Sequence, residues 1–209
     1  MGKLDDKKKQ KRDSLLMAAF TLFTQKGIND TSISDIAKKA NMAKGTFYLY
    51  FKDKFDIRDK LIADKARQVF CRALEEMNRV QLDSLEDHVI FLINSVINQL
   101  NQNKNLLKFI SKNLSWGVFQ KALLLENNED GDSFYQRYYL LLDQSGRMFR
   151  NPDLMLYMIV EFVNSTCHSV ILQQQPVTLE DSIKKSDRVC RCFVSRQARF
   201  YFAKDTWFV

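Results

Sequence analysis

Apolar residues recur at three- and four-residue intervals along most of the chain, the spacing that gives an α-helix one buried face. Leu15, Leu16, Ala19, Phe20, Leu22 and Phe23 predict a first helix from Asp13 to Lys26, and Gly27 suits its C-terminal cap. Ile33, Ile36, Ala37 and Ala40 predict a short second helix. Ser32 and Asp35 have the spacing of a capping box, with Asp in place of the usual Glu. Asn41 tolerates positive φ, so the chain can turn there with Met42 inside. A third short helix then begins near Ala43, with Phe47 and Phe51 facing inward and Lys44, Thr46, Tyr48 and Tyr50 facing outward or to the flanks. Gly45 costs roughly 1 kcal/mol relative to Ala inside a helix, which points to another backbone approaching closely, a DNA phosphate being one such partner.

Downstream, Asp53 caps a long helix through about Arg79, whose buried face is read as Phe55, Ile57, Leu61, Ile62, Ala66, Val69, Phe70, Ala73, Leu74 and Met77. Ser84 to Asp87 opens another helix, whose broad apolar face is read as Val89, Ile90, Leu92, Ile93, Val96, Ile97 and Leu100. Shorter helical segments follow over 106–114 and up to about Leu125, then a polar loop from Glu126 to Asp132. Helix resumes from Ser133 to about Phe149. Asn151-Pro152 is an N-cap followed by proline at the first helical position, and the helix it starts runs to about Gln173. Leu154 to Val163 is apolar almost all round, which calls for two neighbours: the body of the protein and a second subunit. Tyr157, Glu161, Ser165 and Ser169 lie on the face assigned to that subunit, the serines being small enough for close backbone approach. A central helix of a monomer is the alternative. Thr178 opens a last helix, and beyond Val194 the aromatic, β-prone pattern predicts no definite element.

The pattern therefore describes an all-α chain. Only two prolines and six glycines among 209 residues interrupt it, and 45% hydrophobic residues suffice for a sizeable core. Charge is uneven. Residues 1–60 hold 14 Lys/Arg against 8 Asp/Glu, residues 61–180 hold 11 against 14, and residues 181–209 hold 7 against 3, within a formal net charge of +7. A basic N-terminal block on a slightly acidic middle suits a molecule that meets phosphates at one end. Lys7 to Arg12 reads as a mobile basic arm. No apolar run is read as reaching membrane-span length, and the N-terminus lacks a signal-peptide pattern, so a cytoplasmic protein is expected. Cys71, Cys167, Cys190 and Cys192 are expected to be free thiols. His88 and His168 are isolated, and no metal site or cofactor is expected.

The segment KGTFYLYFKDK, residues 44–54, preceded by SISDIAKKA, residues 32–40, resembles the DNA-binding domain of the tetracycline-repressor (TetR) family of bacterial regulators. The resemblance covers roughly Asp13 to Leu61. It departs from the family pattern at Asn41, where Gly is usual, and at Ala43, where Ser or Thr often caps the recognition helix. It implies a helix-turn-helix domain over 1–61 and a helical effector-binding and dimerisation domain over 62–209. Carried over by position, Lys44, Tyr48, Lys54, Ser32 and the Gly45 amide would meet phosphates. Thr46, Tyr50 and Ser34 would meet base edges, and Leu49 would pack on a thymine methyl or face solvent. For the two tyrosines, core packing is the alternative.

The resemblance further implies double-stranded operator DNA as partner, a homodimer, and a small effector that releases the DNA. Trp116, Phe119, Tyr135, Tyr138, Tyr139, Phe162 and Cys167 are the candidate walls of an effector pocket, which their chemistry would suit to an apolar or aromatic ligand; for any single one of them, ordinary hydrophobic core is the stronger alternative. Two rivals are an architectural DNA binder that senses nothing and an enzyme carrying an unrelated helical domain. The second lacks a Gly-rich phosphate loop, a nucleophile with a base partner, or a zinc signature in the sequence.

Overall fold

A computed structural model describes residues 3–113, 117–120 and 134–202, and every regular element in them is helical. α1 spans Lys3–Lys26, α2 Ile33–Lys39, α3 Lys44–Tyr48 and α4 Lys54–Met77. α5 spans Leu85–Gln102, α6 Lys104–Asn113 and α7 Phe134–Gln144. α8 spans Pro152–Cys167 and continues as a π-helical stretch over His168–Gln173, and α9 spans Leu179–Phe202. The predicted loop from Glu126 to Asp132 lies outside the described residues.

The helix boundaries follow local chemistry. Gly27 stops α1 at φ +86°, with its amide donating to the Phe23 carbonyl at 3.1 Å. Ser32 and Asp35 form both halves of the capping box, at 3.1 and 3.0 Å. Asp53 accepts from the amides of Phe55 and Asp56 at 2.7 and 2.8 Å, Ser84 accepts from Asp87, and Asn151 accepts from Leu154. α7 stops before Gly146, at φ +65°, about a turn short of the end predicted at Phe149.

Two larger differences concern the ends of the chain. Residues 7–12 are not a mobile arm: α1 begins at Lys3, because Lys, Gln and Arg are good helix formers and Asp5 and Asp6 sit in the first turn, where negative charge favours the helix dipole. At the other end α9 carries helical backbone through Phe202, past the point where the β-prone pattern blurred the reading. The stretch 203–209 lies outside the described residues.

The core is continuous from α1 to α9. Leu15, Ala19, Ile36, Phe47, Phe51 and Ile57 fill the N-terminal three-helix unit, and α4 leads from it into the body, where it packs against α5 and α6. Leu61 and Ile62 are both buried in mid-helix, so the head joins the body through an unbroken rod. Phe20 and Phe23 of α1 also reach Phe109 of α6, with ring centroids 5.4 and 6.3 Å apart. Phe55, read as buried, is 46% exposed and lies under Lys54 and Arg58 in cation–π contacts.

α5 and α9 are joined by polar contacts along their length. Ser195 donates to Glu86 at 2.6 Å, Arg191 pairs with Asp87 at 2.7 Å and Asn94 donates to Asp187 at 3.1 Å. Glu86 is buried and also receives Arg147 at 2.6 Å. Burial raises its pKa, but Arg147 and Ser195 outweigh that and hold it below the ordinary carboxylate value. The helix Pro152–Gln173 corrects the expectation about apolar runs: by length and composition it could cross a membrane. Here Met155, Leu156, Ile159, Val163 and Cys167 turn its inner face into the core.

A candidate nucleic-acid interface and an internal cavity

α2 and α3 present their polar sides outward because their apolar residues are fully used inside. Ile36, Ala37, Phe47 and Phe51 are buried, with Ile33, Ala40 and Met42 packed against them. Asn41 takes φ +54° between the two helices, and the Met42 amide donates back to Ala37 at 2.9 Å, closing the turn. Ala43 occupies the N-cap of α3 with no side-chain hydrogen bond, so the first amides of α3 lack the partner a Ser or Thr would supply. Lys26 reaches Asp35 at 2.9 Å and ties the end of α1 to α2; with the Ser32 contacts it brings the Asp35 pKa down to about 2.

The exposed surface of this unit carries most of the expected contact residues. Tyr48 is 52% and Leu49 77% exposed, whereas Phe47 beside them is completely buried. Core packing is thereby set aside for Tyr48. Ser32, Ser34, Lys44 and Gly45 are also exposed, and Thr46 is half-buried. A methyl group added at Gly45 meets no atom within 4 Å beyond its own helical turn, and its φ is not in the left-handed region. Nothing in the described chain calls for glycine there.

Two of the expected contacts are placed differently. Tyr50 lies beyond the last turn of α3 and packs partly against the core beside Phe51. Lys54 directs its ammonium to the carbonyls of Ile28 and Asn29 at 3.1 and 3.0 Å, clamping the loop after α1 to the start of α4. The sequence offered no sign of that clamp, because its partners are backbone carbonyls about 25 residues away.

In the body, a cavity of about 100 Å³ lies among α4, α5, α7 and α8. Phe70, Phe119, Phe134 and Tyr138 form its aromatic side, Val96 and Val163 contribute to the aliphatic side, and Asn164 adds an amide. Phe119 and Tyr138 were expected there. Tyr135 and Tyr139 instead donate to Asp153 at the start of α8, the latter at 2.8 Å, and burial followed by that carboxylate raises the Tyr135 pKa. The Tyr138 hydroxyl donates a hydrogen bond to the Pro152 carbonyl at 2.8 Å, leaving the ring for the cavity. Phe162 is on the outer face of α8. Cys167 is buried off the cavity, its pKa pushed up to about 12 by desolvation, and Trp116 lies outside the described residues. In the sequence Val69, Phe70 and Val163 stand out only as members of apolar helix stripes, and no periodicity distinguishes a cavity wall from filled core.

The outer face of α8 carries Leu154, Met158 and Phe162 at successive four-residue steps, all exposed, with Tyr157 and Ser165 exposed beside them and Glu161 and Ser169 half-buried. Among the described residues no group of three His, Cys, Asp or Glu side chains is placed to hold a metal ion.

With this geometry in view, comparison with known proteins is decisive for the head: residues 15–61 match the tetR family of bacterial regulatory proteins. The chain belongs to the TetR family. It is similar to the HTH-type transcriptional regulator YdgC of Bacillus subtilis, 28% identical over 141 residues that span 64% of this chain and 71% of YdgC. A TetR-family transcription regulator from Shewanella has the same fold, at TM-score 0.66 and 18% identity over 86% of this chain and 95% of that one. The transcriptional regulator FadR of Bacillus subtilis, solved in complex with stearoyl-CoA, aligns at TM-score 0.58 and 25% identity over 87% of this chain and 97% of its own. The protein is thus a helix-turn-helix transcriptional regulator of this family, and the relatives compared are regulators rather than enzymes.

Proposed function

We propose that the protein is a dimeric repressor that docks two α3 helices on a palindromic operator and is released by an apolar effector. The observation that carries the DNA part is the division of labour in α3 and the turn after it: Phe47 and Phe51 are consumed by the core, while Tyr48, Leu49, Lys44 and Gly45 are presented to solvent on a rigid three-helix unit. Lys44, Tyr48, Ser32 and the Gly45 amide serve phosphates, and Thr46 and Ser34 serve base edges. Tyr50 and Lys54 contribute through the shape of the unit, each being engaged within the chain.

Residues 1–61 act as the DNA-binding domain and residues 62–209 as the sensing and dimerisation domain. The exposed stripe of Leu154, Met158 and Phe162, flanked by Tyr157, Glu161, Ser165 and Ser169, is the surface that a second copy covers. The effector site is the cavity at Phe70, Phe119, Tyr138 and Val163. At about 100 Å³ it is smaller than the roughly 300 Å³ at which drug-sized pockets begin, so a long apolar chain must widen it to bind. FadR's stearoyl-CoA makes acyl thioesters the first compounds to try. For a hundredfold loss of operator affinity, the effector must bind the DNA-incompetent state about 2.7 kcal/mol more tightly than the competent one. Such a regulator works in the cytoplasm, beside its operator.

The test is selection of duplex fragments by the purified protein, sizing of the complex, and titration with acyl-CoA esters of graded chain length. A two-fold symmetric site bound by two protomers and released by one class of apolar compound is the expected result. A bound monomer, or DNA held unchanged across the series at saturating ester, counts against the dimer and the effector respectively.

A further inference from the structure

The basic N-terminal run is a rigid extension of the head rather than a tail. Five of the six residues from Lys7 to Arg12 are cationic, and at 100° per residue their side chains fan over about 200° of the helix circumference, leaving the remaining arc to Gln10. Residues 5–14 are all exposed, so the body of the protein covers none of this charge. Asp13 lies 3.7 Å from Arg12, both half exposed, which neutralises little of it. Lys7 and Lys11, and Lys8 and Arg12, are like charges four residues apart, an arrangement that works against the helix when it stands alone. An anionic partner removes that repulsion.

The fold also fixes where the run points. Phe20 and Phe23 anchor the C-terminal half of α1 against Phe109 of the body, and Leu15, Leu16 and Ala19 bury its middle in the head. The N-terminal half therefore projects from the end of α1 opposite the body. From Leu15 back to Lys7 it extends about 12 Å at 1.5 Å per residue. Over that distance a duplex presents about seven phosphate charges. The segment from Lys7 to Ser14 has no apolar residue, so it offers nothing to insert into a bilayer.

We infer that the N-terminal three turns of α1 lie along the phosphate backbone flanking each half-site and supply sequence-independent affinity. This rests on the operator-binding reading above and extends the footprint beyond α2 and α3. The test compares the protein with a variant carrying Lys7→Gln, Lys8→Gln, Lys9→Gln and Lys11→Gln, which keeps good helix formers. Affinity for the selected duplex is measured from 50 to 300 mM KCl, with phosphate-ethylation interference and thermal melting alongside. Each lost contact lowers the slope of log K against log salt by about 0.9. The expected result is a slope reduced by about 2 or more per protomer, at least tenfold weaker binding at 100 mM salt, loss of interference at the flanking phosphates, and unchanged ranking of mismatched operators.

An unchanged slope with intact DNA binding overturns the inference and leaves the operator reading standing. Failure of the parent protein to bind any duplex sinks the operator reading instead. Altered ranking would make the extension a base reader, and preferential binding of the parent to phosphatidylglycerol vesicles through these lysines would make it a membrane contact. Either outcome refutes the backbone assignment.

Discussion

Gly45→Ala separates stability from DNA recognition, because the two effects have opposite signs. In the free protein the added methyl meets no atom within 4 Å beyond its own helical turn, and the backbone is not left-handed, so the change introduces no clash or strain. The gain is the difference in helix propensity, about 1 kcal/mol in a helix interior and about half that here, since Gly45 is the second residue of a five-residue helix. For a protein of this size, 0.5 kcal/mol corresponds to a rise in Tm of about 1–2 °C. At the operator the same methyl stands on the surface that α3 presents. A carbon needs about 3.5 Å from its nearest neighbour, so a sugar-phosphate chain lying against the glycine must retreat. A tenfold loss of affinity, about 1.4 kcal/mol, is the expected minimum. Differential scanning fluorimetry and fluorescence anisotropy with the selected duplex read the two effects on the same sample. A Tm lowered by 2 °C or more would reveal packing at Gly45 that the fold does not contain. A raised Tm with unchanged affinity would remove Gly45 from the interface.

Tyr48→Ala is expected to abolish operator binding while Tm stays within about 1–2 °C, since the ring is half exposed, whereas Phe47→Ala should cost about 3–5 kcal/mol and reduce binding through unfolding; equal melting losses for the two would contradict the inside–outside division of α3. Ala43→Ser supplies the missing N-cap of α3 and should stabilise the protein by about 1 kcal/mol, checked by urea denaturation with and without the substitution. Asp35 has its pKa lowered from 3.8 to about 2, so its contribution to stability is complete above pH 3.8 and is lost as pH falls toward 2; Lys26→Met should flatten that part of the acid-unfolding profile, and an identical profile would remove Lys26 as a cause. Desolvation holds the Cys167 and Cys190 thiols up to about 12 and about 11, so at pH 8 a thiol reagent should modify exposed Cys192 in the native protein well before either of them; mass spectrometry of the digested adduct gives the order.

Local information in the sequence was enough for most of the helix-turn-helix. The capping box at Ser32 and Asp35, the turn at Asn41, the inward pair Phe47 and Phe51 and the uncapped Ala43 each depend on residues within about four positions, and periodicity or backbone preference reports such interactions directly. The starts of α4, α5 and α8 were legible for the same reason, through Asp53, Ser84 and Asn151. The extent of α1 was not. Charge density suggested a mobile arm, whereas good helix formers continue a helix already nucleated by the buried stripe from Leu15 to Phe23.

What tertiary structure alone decided is which member of an apolar or polar set meets which distant partner. Lys54 was assigned to DNA from its place in a motif, but loop carbonyls some 25 residues earlier come within reach of its ammonium. Tyr135, Tyr138 and Tyr139 were one aromatic group in the sequence; the fold gives Tyr138's ring to the cavity and turns the other two toward Asp153. Glu86, one residue from a capping carboxylate, is buried because Arg147 and Ser195 converge on it from 61 and 109 residues away. Helical periodicity records that a side chain is buried or exposed, since burial depends on its face. Partner identity depends on where other helices cross that face, and no single helix encodes it.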